Sequence, residues 1–112
     1  ARAMFGEPRM LVLDEPSAGL DLPAREALIA AVERSVSRDE RLAVVIATHH
    51  LEEIPPSTTH AALLREGILI ASGRVGEVLT TDELRRCFDL DVEVHRRHGR
   101  WQAVSPAAVN PT

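Results

Sequence analysis

Asp14 and Glu15 stand side by side at the end of an apolar run, Met10 to Leu13, and open a turn containing Pro16, Ser17 and Gly19. A carboxylate at such a strand end can hold Mg²⁺, a hard cation that keeps several waters and takes few protein ligands. A second carboxylate beside it suits a base or orienter for an attacking water. A second apolar run, Leu42 to Thr48, is β-branched and continuous and leads into His49 and His50. Asp14, Glu15 and His49 therefore all fall where an apolar run stops, which nominates them as one site if the two runs are neighbouring strands.

The elements that must position them are legible from periodicity. An apolar run without alternation predicts a strand covered on both faces. Between the two runs, Leu28, Ile29, Val32 and Val36 recur at helical spacing, while Arg25, Glu26, Glu33 and Arg34 take the other side. Pro23 lies where a first helical turn tolerates it, with Asp21 or Leu22 as the boundary residue. Strand, helix, strand implies a right-handed crossover and a parallel pair, and ligands gather outside the carboxyl ends of such strands.

Farther along, His50 to Ile54 has room for one short helical turn, which Pro55 and Pro56 end. Ala61 to Leu64 and Ile68 to Ala71 flank Arg65, Glu66 and Gly67 as a hairpin. Val75 to Leu79 and Asp82 to Phe88 read as helical, with Thr81 as N-cap of the latter. Val92 to Val94 and Trp101 to Val104 form a second hairpin about Arg96 to Gly99. Ala1 to Phe5 reads as the end of a helix, Gly6 to Pro8 as a turn, and the chain from Ser105 onward as a frayed tail.

Composition narrows the functional classes. The chain has 112 residues and a net charge of -4, enough for one small domain or a piece of a larger one. Aromatics at 3% leave no base-stacking platform, and mild acidity argues against a phosphate-backbone footprint, so nucleic acid is not an expected partner. A single cysteine, Cys87, excludes an internal disulfide framework and fits a reducing compartment. No apolar stretch approaches a membrane span and no signal peptide is evident, so membrane association is expected through a partner.

Residues 10 to 21, read as a string, resemble the Walker B motif, catalytic glutamate and D-loop of ATP-binding-cassette (ABC) ATPases, almost word for word. The resemblance implies a fold class: an α/β, partial P-loop NTPase sheet with parallel strands and flanking helices, plus small C-terminal hairpins. It implies that Asp14 is the Walker B aspartate at the metal and Glu15 the glutamate that positions or deprotonates the water attacking the γ-phosphate. His49 resembles the switch histidine that touches that phosphate; an imidazole can donate a hydrogen bond to it near neutral pH. Ser17, Ala18, Gly19, Leu20 and Asp21 resemble the loop that crosses the dimer interface, and Asp21 also reads as an ordinary helix cap. His50 departs from the Asp that many family members carry and reads as a surface or interface residue.

The implied ligands are ATP and Mg²⁺, and the implied partners a second ABC nucleotide-binding domain and a transmembrane permease. Residues 60 to 79 resemble the transporter branch of the family, in which a short hairpin leads into a G-x-x-x-E-V-L string, here Gly73 to Leu79. Thr48 to Pro55 looks like a subset linked to molybdate- or iron-type import, without naming a cargo. The chain contains no lysine, so the P-loop G-x-x-x-x-G-K-[ST] is missing, as is an L-S-G-G-Q-like signature. The expectation is a C-terminal fragment, inactive by itself, of a cytoplasmic subunit held at the inner face of the membrane by its permease. Residues 1–80 would be the second half of the nucleotide-binding domain, 81–104 an extension and 105–112 a flexible tail. A soluble non-transport ABC ATPase and a truncated, non-catalytic interaction module are the alternatives.

Other clusters carry less. His49, His50, Glu52 and Glu53 lack the H-E-x-x-H order and a cysteine partner for zinc. Arg85 and Arg86, and Arg96 to His98, read as solvated faces. Cys87 reads as a packing residue, and Trp101 as the cover of a hairpin face.

Overall fold

The computed structural model describes residues 8–105. The expected helix end at Ala1 to Phe5 and the tail from residue 106 lie outside them. The contacts divide the chain after Pro56 into two compact units.

In the first unit, β1 (Arg9–Asp14) and β2 (Leu42–Ala47) pair in parallel, joined by α1 (Leu22–Arg38). Their register runs from Arg9 opposite Leu42 to Asp14 opposite Ala47, so both strands stop at the same level. The helix begins where Asp21 Oδ1 accepts from Ala24 N–H at 3.0 Å, with Pro23 in the first turn. Such a cap satisfies one of the orphan donors of the first turn. Ile29 and Val32 of α1 are buried, and with Leu28 they line a small apolar pocket together with Leu13 and Ile46.

Coverage of the sheet differs from the expectation of two covered faces. β2 alternates half-buried and exposed residues, because α1 shields only the face that carries Leu42, Val44 and Ile46. On the opposite face Val12 is 62% and Val45 49% exposed. The apolar run encodes two coverings, and the described residues supply one.

In the second unit, β3 (His60–Arg65) and β4 (Ile68–Arg74) form an antiparallel hairpin with a register shift between Leu63 and Leu64. Glu66 and Gly67 both take positive φ, 53° and 78°, as a two-residue turn with two left-handed positions requires. β5 (Glu93–Arg97) and β6 (Arg100–Val104) repeat the device with His98 and Gly99 at φ 54° and 75°. Between the hairpins come α2 (Val75–Val78) and α3 (Thr81–Phe88). The cap of α3 is Thr80 rather than Thr81: its hydroxyl accepts from Glu83 N–H at 3.1 Å. The Thr81 hydroxyl instead accepts from Val94 N–H at 3.0 Å and ties the helix start to β5.

Val75, Val78, Leu79, Leu84, Cys87, Val92 and Trp101 are buried, so Cys87 is a packing residue. The side chains of Arg85 and Arg86 are exposed and paired with Asp91 and Glu83, and each also reaches a backbone carbonyl. Arg85 Nε donates to Val92 O at 3.1 Å and Arg86 Nη2 to Ile70 O at 3.4 Å, so each guanidinium pins a neighbouring segment. The Arg96 guanidinium lies 4.4 Å from the Trp101 ring centroid, a cation–π arrangement.

Candidate functional site

The site begins at the level where the parallel ladder ends. Glu15 N–H donates to Ala47 O at 2.7 Å, carrying the pairing one residue past β1. That bond sets Glu15 level with the residues following β2. Glu15 then turns the chain at φ 49°, a left-handed conformation that costs a non-glycine residue roughly 1–2 kcal/mol. The bond to Ala47 and a second one, Ala18 N–H to Glu15 O at 3.1 Å, hold it there. Strain of this kind persists only where the surroundings over-determine it, and it concentrates at functional positions.

The result is that residues 34 positions apart in sequence meet: Glu15 Oε2 lies 3.5 Å from His49 Nε2. The Glu15 side chain is 31% exposed and that of His49 89%, so the carboxylate is partly shielded while the imidazole is open to a ligand. Asp14 is exposed at the strand end. Asp14, Glu15 and His49 thus share the carboxyl end of the parallel pair, as their positions in the sequence predict.

In the loop that follows, Ser17 is buried while Ala18, Gly19, Leu20 and Asp21 are exposed. Leu20 N–H donates to Ser17 O at 3.0 Å, and Gly19 takes φ 82° with open space around a would-be Cβ. Gly19 is therefore fixed by backbone conformation rather than by crowding. Of the two readings of Asp21, the helix cap is present in the geometry. His50 is exposed, and its N–H donates to Thr48 Oγ1 at 2.9 Å.

Sequence reasoning missed Glu53. It ends a 3₁₀ turn, Leu51–Glu53, and is only 5% exposed. Its carboxylate accepts from the Ser17 hydroxyl at Oε2 and from the Thr48 hydroxyl at Oε1. The available signal was a pair of small hydroxyl residues flanking Glu15 and His49, with an acid on the short turn that follows.

Among the described residues, no group of three or more His, Cys, Asp and Glu side chains is placed to hold a metal ion. The donor set at Asp14 and Glu15 does not make a protein cage. It fits Mg²⁺, which takes one or two carboxylates and completes its shell with phosphate and water.

No family model matches the chain. An uncharacterized ABC transporter ATP-binding protein, YlmA of Bacillus subtilis, is 38% identical over 94 residues, covering 84% of this chain and 36% of that protein. An energy-coupling factor transporter ATP-binding protein, EcfA of Methanoculleus marisnigri, is 40% identical over 77% of this chain and 31% of its own. A molybdenum import ATP-binding protein, ModC of Shewanella sp., is 33% identical over 75% of this chain and 23% of its own. The match therefore spans 23% to 36% of the length of these curated relatives. A solved structure described as an inward-facing conformation of a putative metal-chelate type ABC transporter superposes with a TM-score of 0.69 at 18% identity, over 90% of this chain and 42% of the other. In sequence and in its partial P-loop α/β fold, the chain is homologous to part of the ABC transporter ATP-binding proteins.

Proposed function

We propose that the chain is the C-terminal part of an ABC transporter ATP-binding subunit and contributes Asp14, Glu15 and His49 to ATP hydrolysis. The observation that carries this reading is the 3.5 Å approach of Glu15 to His49 at the carboxyl ends of two parallel strands. Glu15 accepts a hydrogen bond from the attacking water and takes its proton as the new oxygen–phosphorus bond forms. The bond from the γ-phosphorus to the bridging oxygen breaks, and ADP leaves with that oxygen. His49, open to solvent, donates a hydrogen bond to a γ-phosphate oxygen. Asp14 would hold Mg²⁺, which supplies charge neutralisation on the phosphates.

In this reading residues 1–80 belong to the nucleotide-binding domain and 81–104 form an extension. The P-loop and signature motif lie elsewhere in the complete product, and of the loop Ser17 to Asp21 the exposed residues Ala18 to Asp21 face a second nucleotide-binding domain, with Ser17 buried behind them. The assembly docks on a transmembrane permease at the inner face of the membrane. Among the described residues no helix is long and apolar enough to cross a membrane. The relatives named for molybdenum import and for an energy-coupling factor differ in their named systems, so the function proposed is the step they share.

The test is Glu15→Gln in the complete gene product that carries this sequence. Turnover is expected to fall by roughly 10²–10⁴-fold, the usual contribution of a positioned general base, with ATP still bound. Turnover at the wild-type rate would remove Glu15 from the mechanism.

A further inference from the structure

The Glu15–His49 approach brings together two loops that follow different strands, and the Glu15 N–H bond to Ala47 O fixes the backbone of Glu15 but not its side chain or that of His49. Glu53 joins them. Ser17 lies two residues after Glu15, and Thr48 immediately precedes His49. One carboxylate oxygen of Glu53 accepts from each hydroxyl, so a single side chain spans both loops. The backbone that carries Glu53 is held in place: Glu53 N–H donates to His50 O at 3.1 Å and Ile54 N–H to Leu51 O at 3.1 Å, closing the 3₁₀ turn. Thr48 is fixed from the other side by His50 N–H, whose bond to Oγ1 leaves the hydroxyl proton for Glu53.

A buried carboxylate is costly unless hydrogen-bonded, and here both oxygens are engaged. That arrangement cannot touch a phosphate or the attacking water. A leucine or methionine would fill the same space without desolvating a carboxylate. What it would not do is set the spacing of two loops through directional bonds.

We propose that Glu53 is a positioning residue that locks the loop of Glu15 to the loop of His49, and so sets their separation for hydrolysis. The proposal rests on the ATPase reading above. It assigns Glu53 an effect on the chemical step and none on ATP binding, because it acts through Ser17 and Thr48 on Glu15 and His49 alone.

The experiment compares wild type, Glu53→Ala, Glu53→Gln, Thr48→Val and Thr48→Ser in the complete gene product, measuring kcat, KM for ATP, equilibrium ATP binding and the thermal midpoint. Misplacement of a catalytic group by about 1 Å can cost on the order of a hundredfold. Glu53→Ala is accordingly expected to lower kcat by roughly tenfold to a hundredfold, with KM and ATP binding within about twofold of wild type. Glu53→Gln keeps size but turns one acceptor into a donor, and should fall between the two. Thr48→Val should lose turnover and Thr48→Ser, which keeps the hydroxyl, should recover it.

A Glu53→Gln variant with wild-type kcat, or one whose kcat falls only in step with ATP binding and thermal midpoint, overturns the positioning role. If Glu53→Ala fails to fold, Glu53→Gln and the Thr48 pair decide the matter. Loss of turnover in Glu15→Gln alongside normal Glu53 variants defeats this inference alone. A wild-type product without ATP turnover defeats the functional reading and this inference with it.

Discussion

In the proposed mechanism His49 is suited to ligand contact by what it lacks as much as by what it meets: its side chain is largely exposed, and its approach to Glu15 at 3.5 Å is too long for a strong hydrogen bond. An imidazole so loosely held remains free to donate to a phosphate. His49→Ala in the complete product is expected to cut ATP turnover by about a hundredfold, the low end for loss of a positioned proton donor, with ATP binding retained. Near-normal turnover would take the histidine out of the mechanism. Asp21 makes a separable claim. Asp21→Ala removes the side-chain acceptor for Ala24 N–H and should cost about 1 kcal/mol in chemical denaturation, whereas Asp21→Asn keeps a capping oxygen and should cost little. At this scale the placement of Asp14, Glu15, His49 and Asp21 is legible because each stands at the boundary of a strongly periodic segment. That of Glu53 is not. The role proposed for it arises from the convergence of residues 17, 48 and 53, and a short acidic stretch before Pro55 carries no mark of burial.

The elements were legible wherever local chemistry dictates backbone geometry. Both hairpin turns need left-handed residues, and Gly67 and Gly99 supply the second of each pair. At Gly67 a Cβ would meet nothing within 4 Å, so Gly67→Ala isolates the backbone term. The expected loss is roughly 1–2 kcal/mol, read as a lower denaturation midpoint; an unchanged midpoint would mean that the turn relaxes to another type. The cap of α3 lies one residue before the position the sequence suggests because Thr80 and Thr81 are adjacent hydroxyls, and only tertiary structure tells which faces the helix. Thr80 bonds Glu83 N–H within the first turn, while Thr81 reaches Val94 across to β5. The backbone bonds of the α3 arginines are hidden from the sequence for a similar reason. Charge beside acids looks solvated in sequence, yet Arg85 and Arg86 spend guanidinium donors on backbone carbonyls of other segments.

For the molecule as a whole, the informative disagreement lies in the sheet. Continuous apolar runs predict strands covered twice, and the described residues cover β1 and β2 once, leaving Met10, Val12 and Val45 exposed. Val12 and Val45 are register partners, so they form one apolar cross-strand pair on the open face. Among the described residues this parallel sheet has two strands and so an unpaired edge on either side, and such edges and faces promote self-association. The 112-residue chain expressed by itself is therefore expected to self-associate in light-scattering measurements, and replacing Val12 and Val45 together by Thr should reduce it. In the complete product of the proposed function, the same face would be buried, and the sign reverses. There the double substitution places two hydroxyls in an apolar contact, each costing roughly 1–3 kcal/mol if unpaired, and the denaturation midpoint should fall. A double variant that leaves that midpoint unchanged would mean the open face stays open in the longer protein, and the second covering encoded in the apolar runs would have no physical counterpart.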